Sequence, residues 1–285
     1  MRSTPLGQDK FITINGLPLH YVEWGSADHP SIVLLHGFQS NAHTWDTFSH
    51  AMSADYHVLA LEQRGHGDSA WAPNGDYTPE AFAKDATAFI DALAVAPTLL
   101  IGHSMGGRYA AMVSATHPDQ VSKLVLIDTP AELPSNIVEA LAQQPDRNNL
   151  PEPETFDDFE EIISKARAEY PLTPEAELRR ANYHNLYRGA DGKWHWKWDL
   201  NLVERDCITR ILTMDDLYAV LPQIQCPTLL VRGAQSPLLT AEVAQRMIDH
   251  LPNGRLEEVA DAAHTVNADQ ADVFQSIMTD FLAMS

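Results

Sequence analysis

Only two cysteines occur among 285 residues, Cys207 and Cys226, and they form no C-x-x-C pair. This leaves neither a disulfide framework nor a structural zinc site to hold the chain together. No run of 18 apolar residues exists, which excludes an ordinary transmembrane helix. The stretch Met1 to Lys10 has no apolar core, so no secretory leader is expected there. Positive charge is scarce as well. Nineteen Lys and Arg face 39 Asp and Glu, a formal net charge of −20. A field of that sign repels phosphates and anionic headgroups, so neither nucleic acid nor membrane is expected as a partner. What is present is 45% hydrophobic residues with 8% aromatics, enough to bury a sizeable core in one large domain or two small ones. These features describe a soluble, acidic, cytoplasmic globular protein, monomer or homodimer, whose partner is a small-molecule substrate.

The order of apolar runs predicts an α/β fold. Lys10 to Ile14 and Leu17 to Trp24 alternate and are joined by Asn15-Gly16. This pair accepts the positive φ angles of a type I′ turn, so an antiparallel hairpin is expected. Continuous apolar runs follow at Ser31 to His36, Tyr56 to Leu61, Pro97 to His103 and Val121 to Asp128, as suits strands covered on both faces. Helical patterns lie between them, clearest at Pro79 to Val95 and Met105 to Thr116. Such alternation builds a parallel sheet with right-handed crossovers. The rhythm stops over residues 131–222, where amphipathic helical segments carry no buried-strand run. It resumes at Pro227 to Arg232 and Leu256 to Val259 and ends in a helix from about Asp269 to Met284. The expected division is a core over 1–130 and 223–285, with a helical lid over 131–222.

The most informative stretch is Gly102-His103-Ser104-Met105-Gly106, a G-x-S-x-G placed between a buried strand and an Ala-rich helix. A serine on that sharp turn is a nucleophile elbow. A serine hydroxyl is a weak nucleophile without a base, and a tetrahedral intermediate needs donors for its oxyanion. The backbone N–H of Met105, after the serine, and that of Phe38, after the strand ending Leu35-His36-Gly37, form the natural donor pair. Among 13 histidines, His264 follows the last strand, precedes the last helix and is flanked by small residues. Its loop lies at the same carboxyl edge of the sheet as the serine. His36 is expected to be a structural hydrogen-bonder rather than the base, and His20, His57 and His103 to be packed or capping residues.

The hairpin, His36-Gly37-Phe38, Arg64-Gly65-His66-Gly67-Asp68-Ser69, the serine elbow, Leu126-Ile127-Asp128, Val231-Arg232-Gly233-Ala234 and the His264 loop together resemble the α/β-hydrolase superfamily, in its lid-bearing esterase and C–C hydrolase-like branch. The resemblance covers nearly all of the chain outside 131–222. It implies an α/β-hydrolase fold with a mostly parallel sheet, an N-terminal antiparallel hairpin, helices on both faces and a helical cap after the sixth strand. In such a fold, Arg64 to Ser69 is a tight structural turn, not a phosphate loop. Family members usually carry the catalytic acid after the strand ending Val231-Arg232-Gly233. Here that loop reads Ala234-Gln235-Ser236-Pro237 and has no carboxylate. Asp128, at the end of the preceding strand, is the best substitute, ahead of Glu242 and Asp261, and is therefore read as the acid that orients His264.

Trp194, Trp196 and Trp198 alternate with Lys or His, which in an extended segment turns all three indoles one way. They form either a wall over the serine or an anchor of the lid to the core. Trp45 is a further expected pocket wall, and Lys193 and Lys197 are solvated or attract a substrate carboxylate. The expected function is a serine carboxylesterase acting through an acyl-enzyme on a small to medium ester, with no cofactor and no metal. Amide, lactone or C–C hydrolysis, a cofactor-free dioxygenase, and a slowly turning over ligand receptor remain open. A serine at the elbow argues against dehalogenase and epoxide hydrolase chemistry, where family members use aspartate.

Overall fold

The computed structural model describes residues 7–213 and 217–283; the N-terminal stretch Met1 to Leu6 and the helix-ending Met284 of the sequence reading lie outside them. Eight strands form one sheet: β1 (Gln8–Ile14), β2 (Leu17–Trp24), β3 (Ser31–Leu35), β4 (His57–Leu61), β5 (Thr98–His103), β6 (Val121–Ile127), β7 (Thr228–Gly233) and β8 (Gly254–Val259). Their spatial order is β1-β2-β4-β3-β5-β6-β7-β8. The hairpin turns at Asn15 (φ 50°) and Gly16 (φ 81°), the conformation its Asn-Gly sequence accepts. β2 runs antiparallel to β4, and every later pairing is parallel.

The parallel strands are buried on both faces because successive side chains point to opposite sides. On β3, Val33 and Leu35 enter one core layer while Ile32 and Leu34 enter the other. Of the flanking helices, α1 (Asp46–Met52) covers the second face, whereas α2 (Pro79–Ala92) and α3 (Met105–Thr116) cover the first. α2 starts as its sequence dictates: Thr78 caps the Ala81 N–H and Pro79 occupies the first turn.

The segment between β6 and β7 contains α4 (Ser135–Ala142), α5 (Phe159–Glu169), α6 (Glu175–His184), α7 (Arg205–Thr213) and α8 (Leu217–Val220). It also contains a three-stranded antiparallel sheet of Thr155–Phe156, Trp194–Trp196 and Leu186–Arg188, which the helical reading of this stretch did not anticipate. The cause is local. Gly192, at φ 79°, reverses the chain, and the Trp-His-Trp alternation supplies aromatics that favour a pleated surface. After β7 come α9 (Ala241–His250), α10 (Val266–Asp269) and α11 (Ala271–Ala283), with α9 on the first face and α11 on the second.

The Arg64 to Ser69 stretch is a structural turn. The Arg64 guanidinium holds the buried Asp85 carboxylate through two bonds of 2.6 and 2.8 Å. The Glu62 carboxylate gathers the N–H groups of Asp68 and Ala42 at 2.5 and 3.1 Å.

Candidate active site

Ser104 sits between β5 and α3 at φ 53°, ψ −116°, a strained conformation for a residue with a side chain. Its neighbours make that turn possible. A Cβ on Gly102 would lie 2.4 Å from the Gly106 carbonyl oxygen, and one on Gly106 the same distance from that of Leu35. The elbow therefore closes only with glycine at both positions. The Ser104 N–H donates to the Ile127 carbonyl at 2.9 Å, which ties the elbow to the end of β6.

Asp128 follows directly on β6, fully buried. Its Oδ2 accepts from His264 Nδ1 at 2.7 Å and from the Ser236 hydroxyl at 2.5 Å, while Oδ1 accepts from the Gly233 N–H at 3.2 Å. The loop without a carboxylate thus contributes donors to the carboxylate of the neighbouring strand. Glu242 and Asp261 make no such contact: His264 Nδ1 is taken by Asp128. The His264 ring and Ser104 line the same cavity, although no hydrogen bond joins them directly.

Two residues that sequence reasoning left without a role, Asp269 and Thr173, fix the His264 loop together with His103, which was expected to be packed or capping. The buried Asp269 carboxylate accepts the Ala263 N–H at 2.8 Å and the Thr265 hydroxyl at 2.8 Å, one on either side of His264. Thr173, from the segment between α5 and α6, donates to the same carboxylate at 2.5 Å. His103 Nε2 donates to the His264 carbonyl at 2.9 Å. The signal for Asp269 lay in its place five residues after His264, at the end of α10 and just before the last helix. Thr173 carried none, because only the fold brings it there.

The Phe38 loop approaches the serine closely. A Cβ on Gly37 would meet His103 Nδ1 at 2.8 Å and the Ser104 Cβ at 3.5 Å. The Met105 N–H is an orphan donor of the first turn of α3, and no protein acceptor takes the Phe38 N–H among the described residues. His36 is structural: Nδ1 donates to the Gly37 carbonyl at 2.8 Å and Nε2 accepts the Gln63 N–H at 3.0 Å.

Above the serine is a cavity of about 600 Å³. Phe38, Ile162, Leu178, Trp196, Trp198 and Leu238 supply much of its apolar wall. Two of the four tryptophans expected there do not reach it. Trp45 is wholly buried in the second core layer, where it packs against Phe48. Trp194 packs against Phe159 and Tyr183 inside the inserted segment. Both lysines of the tryptophan stretch point elsewhere, Lys197 paired with Asp68 at 2.8 Å and Lys193 with Asp157 at 3.4 Å. Among the described residues, the cations that line the cavity are Lys165 and Arg180, paired with Glu154 and Glu177.

Burial drives three histidines behind the serine into the neutral form. It pushes His103 down to about 3 and His66 to about 4, and it holds His36, with His66 beside it, well below the ordinary range. Between pH 6.5 and those values the unfolded chain binds protons that the folded chain does not, so acidification favours unfolding. By pH 5, His66 and His103 each cost about 2 kcal/mol, at 1.36 kcal/mol per pH unit. His20 opposes the trend: burial alone would lower it, but Glu62 and Asp9 carry it upward. Urea unfolding is therefore expected to show full stability above pH 7 and a loss of several kcal/mol by pH 5. A stability unchanged across that interval contradicts the neutral buried histidines.

Comparison with known proteins agrees with this architecture. The family described as "alpha/beta hydrolase fold" matches residues 30–271. The chain is 31% identical over 255 residues to the esterase Rv0045c of Mycobacterium tuberculosis, covering 87% of this chain and 81% of that protein. It is 27% identical to the sn-1-specific diacylglycerol lipase ABHD11 of Mus musculus, covering 94% and 86%. The crystal structure of E-2-(acetamidomethylene)succinate hydrolase superposes with a TM-score of 0.86 at 25% identity, covering 98% of this chain and all of that one. No helix among the described residues is long and apolar enough to cross a membrane. The chain belongs to the α/β-hydrolase family and is an enzyme of the serine hydrolase type.

Proposed function

We propose that the protein hydrolyses a neutral, small to medium carboxylic ester through an acyl-enzyme on Ser104, with His264 as base and Asp128 as the acid. The observation that carries this reading is the 2.7 Å contact of His264 Nδ1 with a buried Asp128, beside a serine held on a nucleophile elbow. His264 Nε2 takes the proton from the Ser104 hydroxyl as its oxygen attacks the ester carbonyl. Asp128 keeps the other ring nitrogen protonated and stabilises the imidazolium. The N–H groups of Phe38 and Met105 receive the oxyanion. The imidazolium then protonates the departing alcohol, and water, activated by the same base, clears the acyl group.

The substrate class rests on the cavity. Its apolar wall suits an acyl chain or ring, and its cations, Lys165 and Arg180, are both paired. A carboxylate on the substrate would have to compete for them within a chain of net charge −20. The segment over 131–222, which supplies Ile162, Leu178, Trp196 and Trp198, acts as the lid. The setting is a soluble cytoplasmic enzyme, monomer or homodimer, without cofactor.

A panel of p-nitrophenyl esters of increasing acyl length, run beside an anilide, a lactone and a hemisuccinate ester, tests the assignment. Neutral esters are expected to turn over fastest, and the hemisuccinate at least tenfold more slowly in kcat/KM. Oxygen uptake without acyl hydrolysis would instead identify a dioxygenase. A preference for the hemisuccinate would overturn the neutral-substrate reading.

A further inference from the structure

On the outer side of α6 lies a second hollow of about 500 Å³, separate from the catalytic cavity. Asp9, His43, Asp46, His50 and His184 lie in its wall. Three of these, His43, Asp46 and His184, each present a donor atom within 4.8 Å of the others. His43 and Asp46 stand one helical turn apart where the chain leaves the Phe38 loop, with Nδ1 at 3.2 Å from both carboxylate oxygens. His184 is the last residue of α6, and its ring stacks on that of His43 with centroids 3.5 Å apart.

We propose that His43, Asp46 and His184 form a binding site for one divalent transition-metal ion of the Zn²⁺ or Ni²⁺ class, which fastens the inserted segment to the core. Two imidazoles and a carboxylate are the donor set such ions prefer, and water would complete the coordination. Metal–ligand distances of about 2.0–2.2 Å require neighbouring donors about 3.2–3.5 Å apart. His43 and Asp46 already meet that requirement. The two stacked rings, with planes 21° apart, must swing so that both lone pairs meet one ion. Both histidines are only partly buried and border the hollow, so the rotation has room. The local field helps. Asp9 lies 3.5 Å from His43 Nε2, and Arg180, which lines this hollow, already faces Asp46 and Glu177. Among the described residues, the other trio with suitable side chains, His20, Glu62 and Asp68, is already committed. Both His20 nitrogens are bonded, and the Glu62 carboxylate holds the N–H groups of Ala42 and Asp68.

The location gives the ion a mechanical role that does not depend on the reaction at Ser104. His43 and Asp46 belong to the core, and His184 belongs to the segment whose α6 lines the catalytic cavity through Leu178 and Ala181. Hydrogen bonds already join these parts, among them Asn41 Nδ2 to the Ala181 carbonyl at 2.9 Å, Asn185 Nδ2 to the Gln39 carbonyl at 2.7 Å and the Thr47 hydroxyl to the Glu177 carboxylate at 2.9 Å. A bound ion adds a further tie at the same junction.

Titration of the full chain with Zn²⁺, and separately with Ni²⁺, by calorimetry tests the site. Wild type is expected to bind one ion with a rise of several degrees in Tm, because binding to the folded state alone stabilises it. His184→Ala and His43→Gln are each expected to weaken that binding at least tenfold and to abolish the thermal shift. Ester turnover by His184→Ala without added metal should match wild type, which shows that the variant is folded. Equal affinity and thermal shift in wild type and both variants, or no binding of either ion to wild type, would overturn the proposal.

Discussion

Ser104→Ala is expected to lower kcat by ~10⁶-fold while leaving KM and Tm close to wild type. Losses of that size follow removal of a nucleophile that works as a unit with its base. On the proposed mechanism the acyl-enzyme then cannot form, and what remains is binding plus the N–H groups of Phe38 and Met105 acting on water. The fold should tolerate the change. The Ser104 side chain is not the cap of α3, and the turn is held by the backbone bond to Ile127 and by the two glycines. Steady-state kinetics on the best ester of the panel, with a thermal melt of the same sample, gives both readings. A fall below tenfold would remove Ser104 from the chemistry.

Asp128→Asn is expected to cost ~10⁴-fold in kcat, by placing the proton on the wrong nitrogen of His264. The surroundings of Asp128 determine which way the new amide points. The Gly233 N–H donates to Oδ1, so the asparagine must keep its oxygen there. The NH₂ group then occupies the place of Oδ2, facing His264 Nδ1 and Ser236. A donor facing Nδ1 forces that nitrogen to be the acceptor, and Nε2 then carries the hydrogen and cannot take the proton of Ser104. The Ser236 hydroxyl already accepts the Leu238 and Leu239 N–H groups at 3.2 and 3.1 Å, so the amide must displace one of them to find an acceptor there, and a modest fall in Tm is expected beside the loss of turnover. Asp261→Asn supplies the control, with near-normal turnover expected because Asp128 takes His264 Nδ1. A reversal of the two effects would move the acid from β6 to the loop after β8.

The fold and the chain ends of the site were legible because local chemistry dictates them. Asn15-Gly16 permits one kind of turn, the unbroken apolar runs need cover on both faces, and Gly102 and Gly106 are required by backbone oxygens within 2.4 Å. That Asp128 is the carboxylate beside His264 was legible by subtraction, since the loop from Ala234 to Pro237 offers none. Ser236 was not, because a serine in a loop looks the same whether or not a carboxylate lies 2.5 Å away. Trp45 and Trp194 show the same limit: an indole near a site in sequence packs wherever apolar surface is available, and here that was the core and the inserted sheet. The segment from 131 to 222 read as helical because its short strands, two or three residues each, carry too few residues for a period to appear.

Intact-mass and peptide analysis after exposure to a fluorophosphonate tests the central claim most directly, because the reagent phosphonylates only a serine activated by its base. One phosphonyl group is expected, on the peptide carrying Ser104, forming quickly in wild type and far more slowly in His264→Ala. A wild-type chain that stays unlabelled, or that carries the group on another serine, would contradict the assignment.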